Sequence, residues 1–151
     1  MTINKRVFIY MLLFTLSNCG YEPLYLKKID FNELIQSLQV EGNKKVNRKI
    51  ISSLNIDNKN KTSGYKLIIN SEKILETTSK DAAKNTSIYK TKIIVKIILL
   101  DGDKIFKEKT FNKEFTYNNT KNKFDLSQYQ NEIEINLIDK IIEEILIFLT
   151  I

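Results

Sequence analysis

Histidine and tryptophan are absent from this 151-residue chain, and cysteine and proline each occur once. Losing histidine, with only one thiol to spare, removes the usual general base and the commonest transition-metal ligands together. A single cysteine also excludes an internal disulfide framework. Carboxylates are what remain for chemistry, and they are poorly arranged for it. Asp101-Gly102-Asp103 is the only tight acidic cluster in a loop; it lacks the further ligands of a calcium loop and reads better as a two-residue hairpin turn. Glu143 and Glu144 are neighbours on a helix and point in different directions. A hydrolase with paired carboxylates therefore ranks last among the readings. The chain is expected not to be an enzyme, with no catalytic residue, no metal site and no cofactor.

Charge is mildly unbalanced, with 24 basic against 18 acidic residues. Lys, Asn and Ile supply 62 of the 151 residues, a bias that an AT-rich genome produces without functional selection, so the excess is weak support for a nucleic-acid partner and none is expected. From Cys19 onward the net charge is +4, because the first 18 residues hold two basic residues and no acidic one.

Those first residues carry the strongest signal. Lys5 and Arg6 precede a ten-residue apolar segment over 7–16, then Ser17-Asn18-Cys19-Gly20. Crossing about 30 Å of hydrocarbon takes roughly twenty apolar residues, so this segment has the length of an export signal rather than of an anchor. Leu16-Ser17-Asn18-Cys19 resembles a bacterial lipobox, in which the signal is cut before a diacylglycerol-bearing cysteine; Asn18 stands where such signals have Gly, Ala or Ser. The plain alternative is a secretory signal cut near Ser17 that leaves Cys19 as a free thiol. The position of the one cysteine, flush against the apolar segment, favours lipidation. Several acyl chains attach a protein stably where one is marginal. Gly20 is not the Asp that commonly retains enterobacterial lipoproteins at the inner membrane, so the resemblance implies an outer-membrane location on the periplasmic side.

The chain divides into a signal peptide over 1–18, a lipidated tether over 19–33 containing Pro23, and one domain over 34–151, long enough to bury a core. A first strand is predicted over 34–40. Gly42 and Asn43 then punctuate, and Val46, Ile50, Ile51 and Leu54 recur at helical spacing with Asn43 as N-cap. After a polar loop over 55–64 the period becomes two, with a strand from Tyr65 towards Thr78 and a polar connection over 79–85. The clearest strand follows: Tyr89, Thr91, Ile93, Val95, Ile97 and Leu99 on one face, Lys90, Lys92 and Lys96 on the other. Asp101-Gly102 turns the chain into a strand over 104–117. There Phe106 has the opposite parity to Phe111, Phe115 and Tyr117, which predicts a bulge or twist between Phe106 and Phe111. A long final helix is capped by Asp125 or Ser127, each with a glutamine three residues on. Its stripe is Leu126, Tyr129, Ile133, Leu137, Ile141, Ile145 and Phe148, and over 145–149 it is apolar all round, which requires burial or a partner. The predicted fold class is α+β: a two-layer sandwich, a four-stranded mostly antiparallel sheet with two helices packed on one face.

Cys19-Gly20-Tyr21-Glu22-Pro23-Leu24-Tyr25 resembles the opening of the alphaproteobacterial LPS-assembly lipoproteins of the LptE type, and the order of elements, with Tyr117-Asn118 and Ser127-Gln128-Tyr129 before and in the last helix, is similar to theirs. The resemblance implies the lipoprotein subunit of the outer-membrane lipopolysaccharide translocon. Such a subunit plugs the lumen of an LptD-type β-barrel, helps the barrel assemble and binds lipopolysaccharide on its way to the outer leaflet. The alternative keeps the lipoprotein and the fold but makes it a free-standing periplasm-facing binding or envelope-scaffold module. Under the resemblance, Cys19 is the lipidation site. Lys90, Lys92 and Lys96, with Lys107, Lys109 and Lys113 on the next strand, are candidates for binding lipopolysaccharide or another anion, provided the register brings them together, since cross-strand lysines repel and an anion relieves the cost. The competing reading of these lysines is protection of an exposed strand against aggregation. Asp101, Gly102 and Asp103 at the hairpin tip are candidate contacts with the barrel, against the plainer reading of a solvent turn.

Overall fold

The computed structural model describes residues 31–57, 61–80, 86–120 and 122–150. The signal, Cys19 and the heptapeptide opening lie outside the described residues, as do parts of the loops expected over 55–64 and 79–85. Element order is α1 (Phe31–Leu34), β1 (Ile35–Gly42), α2 (Lys44–Leu54), β2 (Tyr65–Lys80), β3 (Thr86–Asp101), β4 (Lys104–Asn118) and α3 (Lys123–Thr150). The strands form one sheet in the order β1-β2-β3-β4, with β1 parallel to β2 and the other pairs antiparallel. This is the expected α+β class, with an open sheet and one addition, the single turn α1. Phe31 in that turn is buried in the core, and the Asn32 side chain bonds Asp57, so the packed body takes in residues 31–33 as well.

A parallel pair cannot be closed by a hairpin, and α2 is the crossover that joins β1 to β2. Its start follows from Asn43. That residue is extended, and its Oδ1 accepts from the backbone N–H of Lys45 and Val46, both at 3.1 Å. Asn55 ends the helix in the left-handed region, its N–H returning to Ile51 and Ser52. Val46, Ile50 and Leu54 face the sheet and are almost wholly buried, each contributing about 1.5–3 kcal/mol by leaving water. Asn43→Ala removes the cap, and a loss of about 1 kcal/mol in urea unfolding is expected.

α2 lies over β1 and β2, and α3 lies over β3 and β4. The core is the layer between helices and sheet. Leu67 and Ile69 on β2, Ile93, Val95, Ile97 and Leu99 on β3 and Phe111 on β4 meet Ile133, Leu137, Ile138, Ile141 and Ile145 of α3. The buried stripe of α3 is wider than the predicted one, since Ile138 and Ile142 join it where α2 packs alongside. The apolar last turns are resolved mostly by burial: Ile145 and Leu149 are in the core, while Ile147 stays exposed. The start of α3 differs from expectation. Asn122, not Asp125 or Ser127, accepts from the Phe124 N–H at 3.0 Å, because the helix begins at Lys123 and leaves both predicted caps inside it.

Candidate functional site

The six candidate lysines of β3 and β4 share one surface only if the register brings them together, and the register separates them. Asp101 pairs with Lys104 and Leu100 with Ile105, but Leu99 pairs with Lys107, so Phe106 is the extra residue. Had the pairing set by the tight turn continued, Lys109 would oppose Lys96 and Lys113 would oppose Lys92. One inserted residue turns every later side chain to the other face. The expected bulge is therefore present, at Phe106 itself, and it undoes the lysine cluster.

Lys107, Lys109 and Lys113 consequently stand opposite Leu99, Ile97 and Ile93 on the helix side. Lys113 is paired with Glu144 of α3. The Lys107 ammonium lies 5.6 Å from the Phe106 ring centroid and 5.8 Å from that of Phe148, and donates to the Phe148 carbonyl at 3.5 Å. That carbonyl is in the last turn of α3, which has no basic residue of its own, so Lys107 supplies the cation the helix C-terminus favours. Lys109 lies 5.0 Å from the Phe111 ring centroid. With Glu144, Ile147 and Phe148, Lys107 and Lys109 line a shallow groove between β4 and the end of α3.

Lys90, Lys92 and Lys96 remain on the other face of the sheet, which no described helix covers. Lys96 pairs with Glu108 at 2.8 Å, Lys90 lies 3.8 Å from Glu76, and Lys92 stands opposite Glu114. Half-buried Ile68, Ile94 and Ile98 separate the charges. This face is polar, stippled with apolar rows and close to neutral. It does not gather one sign of charge, because acidic residues on β2 and β4 alternate in phase with the lysines of β3.

The hairpin tip is exposed throughout Asp101, Gly102 and Asp103, with Gly102 at φ +57°. It projects beyond the core and makes a solvent-facing turn.

Among the described residues one charge is deeply buried, and little in the sequence announces it. Glu134 of α3 is 3% exposed and receives Lys73 of β2 at 2.8 Å and Lys45 of α2 at 2.9 Å. Burial pushes its pKa up, but hydrogen bonds from Lys73 and Lys45 and their charges outweigh that, leaving it below the ordinary 4.5. The carboxylate pins both helices and the sheet at one point. Glu134 precedes Ile138 and Ile142 by one and two helical turns, which is the only sequence signal of its inward position. A second buried polar pair, Thr91 Oγ1 and Tyr117 Oη at 3.0 Å, lies under the aromatic cluster of Tyr89, Tyr117 and Tyr129. Thr91→Val is expected to cost about 1 kcal/mol by orphaning the phenol.

No protein-family model matches the chain, and no curated protein sequence does. Its fold does have counterparts among solved structures. A minor lipoprotein from Acinetobacter baumannii superposes with a TM-score of 0.55 at 16% identity, covering 74% of this chain and 87% of that one. Rare lipoprotein B from Shewanella oneidensis gives 0.52 at 14%, covering 72% and 92%, and lipoprotein B from Nitrosomonas europaea gives 0.52 at 11%, covering 75% and 81%. At these identities the likeness is one of fold, and it extends over nearly the whole of each neighbour.

Proposed function

We propose that this chain is the lipid-anchored subunit of an outer-membrane lipopolysaccharide translocon, seated within an LptD-type β-barrel and handling lipopolysaccharide without catalytic turnover. What carries the reading is a coincidence of two independent observations: the Cys19-to-Tyr25 opening resembles that family, and the body that follows has the fold of proteins described as lipoproteins. A wide barrel has a polar lumen that must be filled or gated. The uncovered face of the sheet suits such a wall, since its Lys90, Lys92 and Lys96 alternate with Glu76, Glu108 and Glu114 and meet polar groups of either sign. Outer-membrane anchorage through an acylated Cys19 on the periplasmic side belongs to the same proposal.

A photocrosslinking residue at Lys92 tests it in the native cell. Adducts with a large outer-membrane barrel are expected; adducts with soluble proteins alone would end the proposal. Cys19→Ser should abolish acylation while barrel association survives in part, because the folded body makes most of the contacts. Complete loss of association by a folded Cys19→Ser protein would contradict that division of labour.

A further inference from the structure

Three features converge at one end of the molecule. β1 begins there, since Ile35 pairs with Tyr65 at the first residue of β2, so the polypeptide leading back to Cys19 joins the body at this end. The β3–β4 turn is there, because Lys66 pairs with Leu100, one step before Asp101 pairs with Lys104. The last turn of α3 is there too, with the Phe148 ring 5.8 Å from that of Phe111 and its carbonyl bound by Lys107. The bulge presses Phe106 against Tyr65, ring centroids 5.0 Å apart, yet leaves it 52% exposed; Ile105 beside it is 61% exposed and Ile147 45%. Around them stand Lys104 and Lys109, both exposed, and half-buried Lys107. Glu108 and Glu144 are already engaged by Lys96 and Lys113, so the lysines stand beside Asp101 and Asp103 of the turn and Glu143, one helical turn before Ile147.

We infer that this end rests on the phospholipid leaflet that holds the Cys19 lipid, with Ile105, Phe106 and Ile147 entering the headgroup layer and Lys104, Lys107 and Lys109 meeting anionic headgroups. Exposed apolar side chains ringed by lysines are the composition of an interfacial contact, and lysines near a membrane surface are drawn to anionic lipid. Chain length supports the occupant. Twelve peptide steps separate Cys19 from Phe31, a reach of at most roughly 40 Å, and the attachment point is beside the patch. The far end of the 16-residue β3 lies roughly 50 Å away. Exposed Leu75, Phe115 and Phe124 make a rival apolar region towards that end. The inference rests on the proposed acylation of Cys19 and not on a barrel partner.

The acylated full mature chain provides the test. Its only cysteine is blocked by the lipid, so Ile105→Cys and Phe124→Cys each offer a single thiol for a fluorophore. The labelled proteins are placed on vesicles of phosphatidylethanolamine with phosphatidylglycerol and on vesicles of phosphatidylcholine, with headgroup spin-labelled lipid as quencher. Strong quenching at position 105 and little at 124 is expected on the anionic vesicles, with the difference reduced on phosphatidylcholine, in high salt, and in a Lys104→Glu, Lys109→Glu background. Equal quenching at both positions, or none at 105, on vesicles that carry the protein would overturn the inference while leaving the anchor intact. Quenching confined to 124 would instead place the rival end on the membrane. A mature chain isolated from the cell with an unmodified Cys19 thiol would refute the anchor, and this contact with it.

Discussion

Replacing Gly42 by alanine is expected to cost at least about 3 kcal/mol. Gly42 has φ +91°, and a Cβ there would lie 1.8 Å from the Ser71 carbonyl oxygen. That oxygen belongs to the backbone of β2 and cannot swing aside. It also accepts from the Asn43 N–H at 2.9 Å, while the Ser71 hydroxyl contacts the same N–H at 3.1 Å. The strain would thus fall on the register of β1 against β2 and on the residue that caps α2. Gly102→Ala is the control. It too has positive φ, but nothing lies within 4 Å of its Cβ, so only the left-handed penalty of about 1–2 kcal/mol applies. Urea midpoints for the two variants check the contrast, and a Gly42→Ala protein no less stable than Gly102→Ala would contradict the junction described.

The second large effect concerns Glu134. Its carboxylate is buried, whereas Lys45 and Lys73 keep 50% and 31% of their side chains in solvent. Removing the acid therefore leaves lysines that can reach water, and Glu134→Gln should cost about 1–2 kcal/mol. Removing both lysines leaves a buried charge with neither partner, and Lys45→Met with Lys73→Met should cost about 3–5 kcal/mol at neutral pH. The pH dependence separates the cases by sign. In the native protein the folded-state pKa lies below 4.5, so the contribution of Glu134 is complete above that value and is lost as pH falls through the lower one. Without the lysines only burial acts, the folded-state pKa rises above the unfolded one, and the double variant should lose stability as pH rises through that range. Unfolding curves across the acidic range would show opposite slopes for this group. Parallel slopes would mean that the two lysines do not hold the carboxylate.

Local chemistry was legible where one residue type had one job. Asn43 after Gly42 announced the cap of α2, Asp101-Gly102 announced the turn, and the strict alternation of β3 from Tyr89 to Leu99 announced which face is buried. The parity conflict between Phe106 and Phe111 announced a bulge. Parity already put Lys113 with Phe111, Phe115 and Tyr117 on the helix side; it did not place Lys107 and Lys109, whose facing depends on which residue is skipped, and that residue, Phe106, stacks on Tyr65 two strands away. Glu134 was hidden for a similar reason. A glutamate beside an apolar stripe looks like the solvent edge of a helix until α2 and β2 bring Lys45 and Lys73 to it, and those contacts join residues 61 and 89 positions apart. Asn122 lacks the capping-box glutamine that Asp125 and Ser127 each have three residues on, so the spacing points past the true start of the helix.

Neutral alternation on the open sheet face also bears on function. An all-lysine surface would bind anions in solution whatever their source, whereas a face in which Lys90 and Lys96 already have Glu76 and Glu108 beside them gains from an anion only when something displaces those acids. The proposed role therefore places recognition in the shape and mixed polarity of the sheet, within the barrel, rather than in a basic patch acting alone.

Detergent extraction of outer membranes followed by affinity purification of the tagged full-length chain tests the translocon assignment most directly. The account predicts an acylated chain recovered with a large β-barrel protein in one-to-one amount. An acylated chain recovered from the same membranes without any barrel would contradict it.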